Sequence, residues 1–429
     1  MSPALITRRL LEEIADRDFN LIQENGRFLA SARGQNFDCE FGRDSAWESI
    51  FAVQAYKYNP DSALIAPIPK TLLNLYRLQG QRVNPNREET PWKIPHEYRY
   101  GTKQQKKLKT FAKAGWPVEN YRGQKKLLYY GSVDATILWS IACMEYFKAT
   151  KDIKFFTQVE DGLRKALLWP EVYGDIDIDG FVEFKAKNRK ALVNQGWQDS
   201  FNSILMENGK RPSDPIALAE VQAYTYGAWV LASKVFKDED LAFANNLAKK
   251  ASILKEKFNQ DFWLDDKKYF AQALYGKSKK QLSAISSNIG HCLYFKIIDE
   301  KKAPCVAKRL MQKDMFTPWG IRTLSSKSPN FSLQPQIGYH LGTVWPFDNA
   351  VCADGLRKYG FKKEAELIDM AVLKTFKAVG SQELITVDKA KNLILYPSSC
   401  NPQGWTVCAV KKILAQYPLS LFDKIVKES

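Results

Sequence analysis

The residues of this sequence best suited to chemistry are carboxylic acids set close to tryptophan. Asn194-Gln195-Gly196-Trp197-Gln198-Asp199-Ser200 puts one acid beside an indole and a glycine, in a segment too polar for plain core. A carboxyl against an apolar ring is partly desolvated, which disfavours its charged form and raises its pKa. A general acid working near neutral pH needs that shift. Taken alone, Asp199 or Ser200 reads better as the cap of a following helix. The pattern recurs, however. Asp44, Glu97, Asp134, Glu220, Asp348 and Glu383 complete the set, and Trp47, Trp197, Trp345 and Trp405 lie near several of them. Sugar sites combine these parts: aromatic faces stack on the apolar side of pyranose rings, and ionised groups bind hydroxyls. Two carboxyls then perform glycoside hydrolysis.

Other chemistries find less support. The three histidines, His96, His291 and His340, have no cysteine or carboxylate at ligand spacing, so each is read as a structural or hydrogen-bonding residue and no metal is expected. Asp175-x-Asp177-x-Asp179-Gly180 opens like a calcium loop. The position that should supply a bidentate acid is Ala186, with Glu183 falling earlier, so a tight turn between two short strands is the better reading. No G-x-S-x-G or P-loop pattern is present, which leaves serine hydrolysis and nucleotide chemistry unsupported.

The elements that must position these acids repeat. A helix is expected over 4–24, where Ile6, Leu10, Leu11, Ile14 and Leu21 share a face. FGRDS (Phe41–Ser45) then precedes a helix over about 46–57, with Ser45 and Glu48 spaced as a capping box, and a second helix runs to about Leu78. YYGSVD, the Pro215 segment with AEVQAYTYGAW, SSNIGH, YHLGTVWPFDNA and NPQGW each lead into a helix that most often has a partner; the last pairs with the N-terminal helix. Six such units describe an all-α, (α/α)6 toroid of six inner and six outer helices. The motifs then converge at one end of the barrel. Few strands are expected beyond hairpins around 170–190 and 385–395. Residues 80–130, with PWKIPHEYRYG and the basic run Lys103–Lys109, and residues 314–344 read as long connections with a functional role. No linker divides residues 1–429, so one domain is expected.

Charge and cysteine usage set the remaining bounds. Sixty-three basic against 47 acidic residues give a net charge of +16. No helix-turn-helix, zinc-finger or RRM signature accompanies it, so a lysine-rich solvated surface is expected rather than nucleic-acid binding. Seven scattered cysteines without a C-x-x-C pair fit a reducing compartment. The charged N-terminus lacks the apolar stretch of a signal peptide, and no apolar run nears the roughly 20 residues that span a bilayer. A cytoplasmic protein without a membrane partner is expected.

FGRDS, IPHEYR, YYGSVDAT, DIDIDGFVEF, NQGWQDS, PIALAEVQAY, WGIRTLSS, YHLGTVWPFDNA and the late QEL…YP…CNPQGW occur in the order found in amylo-α-1,6-glucosidase-type proteins. The sequence resembles that family over about residues 30–415. Its members are (α/α)6 catalytic domains similar to the C-terminal part of glycogen debranching enzymes, related to processing α-glucosidases and glucosylglycerate hydrolases. The resemblance implies an inverting α-glycosidase that needs no cofactor. Asp199 matches the general acid and Glu383 the general base, their carboxyls roughly 6.5–9.5 Å apart to admit a water. Relatives usually show proline-glutamate-leucine-phenylalanine around the base, where this chain has Gln382 and Ile385 at the ends. Arg43 and Asp44 match the pair that holds the sugar ring. Trp47, His96, Glu97, Asp134, Trp197, Glu220, His340, Trp345 and Trp405 match other positions of that pocket. Debranching relatives commonly carry a further N-terminal domain, and this chain starts almost at the barrel, so a small α-glucoside or oligosaccharide, α-1,6-linked, is the expected substrate. Two alternatives are an anionic glucoside such as glucosylglycerate, favoured by the basic charge, and a carbohydrate-binding barrel without catalysis.

Overall fold

The computed structural model describes residues 2–427. Twelve principal helices carry the fold: α1 (Pro3–Leu21), α2 (Gly42–Tyr58), α3 (Ile68–Arg77), α4 (Ala135–Thr150), α5 (Ile153–Trp169), α6 (Ala219–Val235), α7 (Leu241–Asp261), α8 (Asn288–Tyr294), α9 (Ala303–Leu310), α10 (Pro346–Lys358), α11 (Lys362–Val379) and α12 (Gly404–Gln416). The even-numbered helices touch in sequence, α2 to α4, α4 to α6 and onward to α12, and α12 returns to α2. Each is also packed against at least one odd-numbered helix, with α1 lying on α12.

Composition explains which helix takes which position. The even helices are apolar or small on nearly every side: eleven of the sixteen residues of α4 are buried, from Ala135 to Tyr146. A helix that is apolar all round can be covered only by neighbours on every side. The odd helices keep one polar face. Local caps start several of them. Ser2 Oγ accepts from Leu5 N at 3.3 Å, Asp152 from Phe155 N at 2.9 Å and Asp240 from Phe243 N at 3.0 Å. One hydrophobic core runs from Ala4 to Phe422.

Close approach of α8 and α10 depends on two glycines. A Cβ on Gly290 would lie 2.1 Å from Cys352 Sγ, and one on Gly355 would lie 2.7 Å from both Gly290 O and Tyr294 N.

Several expectations are corrected. The helix after FGRDS begins at Gly42, so Arg43 and Asp44 lie in its first turn and Ser45 and Glu48 form no capping box. Ser45 Oγ and both Glu48 carboxyl oxygens are buried without a hydrogen-bond partner. The start is set instead by Phe41, which pairs with Glu97 in a sheet, and by Gly42 N donating to His96 O at 3.0 Å. Pro215 opens no helix, because Ile216–Leu218 is a strand paired with Ala273–Tyr275. The 170–190 segment is irregular rather than a hairpin, its Phe184 bridging to Ile216. The 80–130 connection folds into the helix Gln105–Lys113 and most of a four-stranded antiparallel sheet, in the order Glu40–Phe41, Glu97–Arg99, Gln124–Tyr129, Val118–Tyr121. The 385–395 hairpin forms, Ile385–Val387 against Leu393–Leu395. Among the described residues, no helix is long and apolar enough to cross a membrane.

Because α8 and α10 meet backbone to backbone at the two glycines, Gly355→Ala should destabilise the fold by about 1–3 kcal/mol through overpacking. Urea unfolding checks this; an unchanged midpoint would mean the contact relaxes freely.

Candidate active site

The even-numbered helices bring their N-terminal residues together. Arg43 and Asp44 come from the first turn of α2, Asp134 from the N-cap of α4 and Glu220 from the first turn of α6. Trp345 is the N-cap of α10, and Trp405 lies in the first turn of α12 beside its N-cap, Gln403. Acidic side chains are favoured there by the helix dipole. Asp199 comes from a helix-free stretch; the next helix starts at Ala219, so neither Asp199 nor Ser200 caps one.

Arg43 organises this end of the molecule. Its Nε donates to Asp134 Oδ2 at 2.8 Å, Nη1 to Asp199 Oδ2 at 3.0 Å and Nη2 to Gly196 O at 2.7 Å. Burial opposes its charge, but the two carboxylates more than offset that and hold it firmly protonated. Ser132 Oγ donates to the other Asp134 oxygen at 2.5 Å. Gly196 allows this approach, since a Cβ there would meet Leu218 Cδ1 at 2.3 Å and Glu220 Oε1 at 3.2 Å.

A cavity of about 490 Å³ opens above the guanidinium. Asp44, Asp199 and Glu383 line it together. Burial raises all three carboxyls: Asp44 to about 7, Glu383 to about 8, and Asp199 upward against the pull of Arg43. Glu383 is held from both sides, accepting a hydrogen bond from the Tyr339 hydroxyl on one oxygen and from Cys400 N at 3.1 Å on the other. Gln403 Nε2 donates to Asp44 at 3.1 Å. The floor is aromatic. Trp197 stacks on His291 at 5.7 Å, His340 on Trp345 at 4.8 Å and Phe347 on Trp405 at 4.0 Å. Burial keeps His96 and His340 neutral. His96 Nδ1, His340 Nε2, Trp197 Nε1 and Trp405 Nε1, all on lining residues, are buried without a hydrogen-bond partner.

Of the residues singled out in the sequence, ten line the cavity: Arg43, Asp44, His96, Glu97, Trp197, Asp199, His340, Trp345, Glu383 and Trp405. Asp134, Glu220 and Trp47 do not. Asp134 stands behind Arg43. Glu220, pushed up to about 8 by burial, stands behind Gly196. Trp47 is fully buried in the helix interior, against Phe51, Tyr224, His291 and Tyr294. His291 also lies below the cavity, bridging Tyr224 and Asp348. Lining residues that the sequence reading did not single out include Phe37, Arg99, Phe111, Trp116, Tyr339 and Gln403. Tyr339 and Gln403 sat inside recognised motifs, next to His340 and Trp405. Phe111 and Trp116 carried no spacing signal, because they belong to a helix and the turn after it, in a segment read as loop.

The Asp175–Gly180 turn lies apart from the cavity. Asp175 accepts from Asp179 N at 3.0 Å and Gly180 N at 2.8 Å. Asp175, Asp177 and Glu183 bring their oxygens within 4.8 Å of one another, yet a lysine ammonium serves them: Lys279 Nζ sits 2.9 Å from Asp177, 3.2 Å from Asp179 and against Glu183.

A helix-rich scaffold that gathers buried carboxyls and indoles into one cavity belongs with the glycoside hydrolases, and comparison with known proteins narrows that class. The model of the family described as amylo-alpha-1,6-glucosidase matches residues 105–412, and the chain belongs to that family. It is a glycoside hydrolase. Among solved structures the fold is similar to a GH63 mannosylglycerate hydrolase from Thermus thermophilus in complex with Tris (TM-score 0.66, 13% identity, 94% of this chain and 99% of that one). It is likewise similar to the same hydrolase in complex with glucose (TM-score 0.62, 13% identity, 97% and 99%) and to a wild-type glycosidase (TM-score 0.60, 12% identity, 98% and 99%). No curated protein sequence matches the chain.

Removing the ammonium in Lys279→Met leaves three carboxylates facing one another, Glu183 among them fully buried. Stability should fall by ~3 kcal/mol, the scale for breaking a buried pair, and added calcium should recover part of the loss. The thermal midpoint of the wild-type chain should not move with EDTA; calorimetry checks both.

Proposed function

We propose that the protein is an inverting α-glucosidase, acting on a small α-glucoside or oligosaccharide with a debranching-type α-1,6 linkage, with Asp199 as general acid and Glu383 as general base. The observation that carries this reading is that both carboxyls face one aromatic cavity, each held by its own donors: Asp199 by Arg43, Glu383 by Tyr339 and the Cys400 amide. The closed order of helix contacts supports an (α/α)6 toroid, and the main core spanning Ala4 to Phe422 supports one catalytic domain.

The reaction requires Asp199 protonated and Glu383 ionised. Protonated Asp199 gives its proton to the glycosidic oxygen as the C1–O bond breaks, and the bonding pair leaves with the aglycone. A water attacks C1 from the opposite face and passes a proton to ionised Glu383, so the anomeric centre inverts. Burial raises the proton affinity of the Asp199 carboxyl against the pull of Arg43, which keeps it oriented. The open donors and acceptors on His96, His340, Trp197 and Trp405 suit a polyhydroxylated neutral ligand. Arg43 and Asp44 are suited to the hydroxyls of the ring being cleaved. Asp134 and Glu220 act through Arg43 and Gly196, and Trp47 supports the floor.

Proton NMR of the purified chain with α-glucosides should show β-glucose first. Asp199→Asn should lose about 10²–10⁴-fold in turnover, the range for a general acid, while sugar binding persists. α-Glucose as first product would rule out direct displacement.

The pH profile tests the base. Productive enzyme needs Glu383 ionised, so activity falls as pH drops through the pKa of that group. Burial lifts that limb well above the ordinary carboxylate range, while the Tyr339 hydrogen bond pulls it back. Tyr339→Phe should therefore move the acidic limb of kcat/KM to higher pH. A limb that stays put would assign it to another group.

A further inference from the structure

The cavity walls fall into two groups, and only one of them carries the carboxyl pair. Asp199 and Glu383 share the ring cluster of Trp197, His340, Trp345, Tyr339 and Trp405. The other wall comes from the sheet and the helix Gln105–Lys113. Phe37 packs edge-on to Phe41 at 5.6 Å, Arg99 lies over both Phe41 and Phe111, and Phe111 stacks on Trp116 at 5.1 Å. A small core of its own, with Leu108, Leu127 and Tyr129, holds this wall in position. No ring–ring contact joins the two groups among the described residues. At about 490 Å³ the cavity falls within the roughly 300–1,000 Å³ of pockets that enclose ligands well beyond one ring.

The charge on this second wall is already spent. Arg99 donates to Glu97, to Asp38 at 3.3 Å, to Gln104 Oε1 at 3.0 Å and to Asn36 O at 2.9 Å. Lys107 Nζ donates to Asp38 at 2.6 Å and to Gln35 O. Two cations thus meet two carboxylates. The third cation of the cavity, Arg43, serves Asp134 and Asp199. Lys103, Lys106 and Lys109 of the basic run, and Lys113 beyond it, are exposed to solvent and do not line the cavity. The remaining titratable groups on the lining are the carboxyls of Asp44 and Glu383, the neutral histidines and the Tyr339 phenol. An anionic aglycone entering here would have to take a cation from Asp38 or Glu97, leaving that carboxylate uncompensated in a buried place, which is costly.

We propose that the wall of Phe37, Arg99, Lys107, Phe111 and Trp116 is the aglycone subsite and that it selects a neutral sugar ring over an anionic group such as glycerate. The selection is by charge saturation and aromatic surface: a pyranose can lay its CH face on the rings and meet Thr110 with a hydroxyl, while a carboxylate finds no cation that is without a carboxylate partner. The structural likeness to a mannosylglycerate hydrolase therefore does not extend to its anionic aglycone. This inference rests on the α-glucosidase reading above and concerns the same cavity.

The test compares initial rates of the full chain on α-linked glucose disaccharides, glucosylglycerate and α-glucosyl fluoride, whose leaving group occupies no aglycone subsite. The best disaccharide should exceed glucosylglycerate at least tenfold in kcat/KM. Phe111→Ala and Trp116→Ala should lower the ratio of disaccharide to fluoride kcat/KM at least tenfold. Glucosylglycerate hydrolysed faster than every disaccharide, with its KM raised tenfold in Lys107→Gln, would overturn the proposal and leave the glucosidase reading intact. That variant alters a partly exposed side chain, so it remains informative if the aromatic variants fail to fold. An unchanged disaccharide-to-fluoride ratio in folded aromatic variants would also overturn it. Failure to hydrolyse the fluoride at all would overturn the glucosidase reading itself and the subsite with it.

Discussion

The arrangement depends first on one buried guanidinium. Arg43 ties the start of α2 to the N-cap of α4 through Asp134 and to the loop at Gly196 and Asp199. Three segments far apart in sequence meet at one planar cation, whose forked donors fit two carboxylates and a carbonyl at once. A lysine carries the same charge without that fork. The cost of burying the cation is offset first by Asp134 and then by Asp199, so this pairing constrains helix order and loop path together.

Around that cation the cavity is built to keep carboxyls dry. Asp44, Asp199 and Glu383 all have their proton affinity raised by burial, and each has a distinct donor: Gln403, Arg43 and Tyr339. Like charges in a low-dielectric space cannot all ionise, so the donors decide which group releases its proton first. The division between an acid and a base is therefore a property of the whole cavity rather than of either residue. It also explains why so much aromatic surface collects at one end of the molecule: rings exclude water without adding competing charge.

Elsewhere the protein handles buried charge by the same means, pairing carboxylates with its own cations. Lys279 among Asp177, Asp179 and Glu183, and Lys107 with Arg99 on Asp38, are two instances. The first fills a turn that resembles a calcium loop in sequence. The second neutralises the wall that the basic run Lys103–Lys109 suggests is positive. In both cases the partner comes from a segment remote in sequence, so neither balance is visible from local composition. A net charge of +16 consequently says little about any single surface of the cavity.

Much of the scheme was legible in the chain itself. Apolar runs of helical length, separated by polar-aromatic motifs, marked a helix-rich chain in which alternate helices are covered, because a helix apolar on all sides has to be covered on all sides. Carboxylates beside tryptophans marked a candidate site, and Asp199, Glu383, Arg43 and Asp44 do share one cavity. Tertiary structure decided what local rules could not. Ser45 and Glu48 have the spacing of a capping box, but strand pairing of Phe41 with Glu97 starts the helix earlier and buries both. Trp47 sits near Asp44 in sequence yet lies in the helix interior, because it is most of a turn further along the helix from the end that carries Asp44. The aromatic wall of Phe111 and Trp116 exists only once residues 97–129 pair into a sheet. Sequence thus determined which residue types were available and their periodicity; long-range packing and the pairing of buried charges determined which of them face the same space.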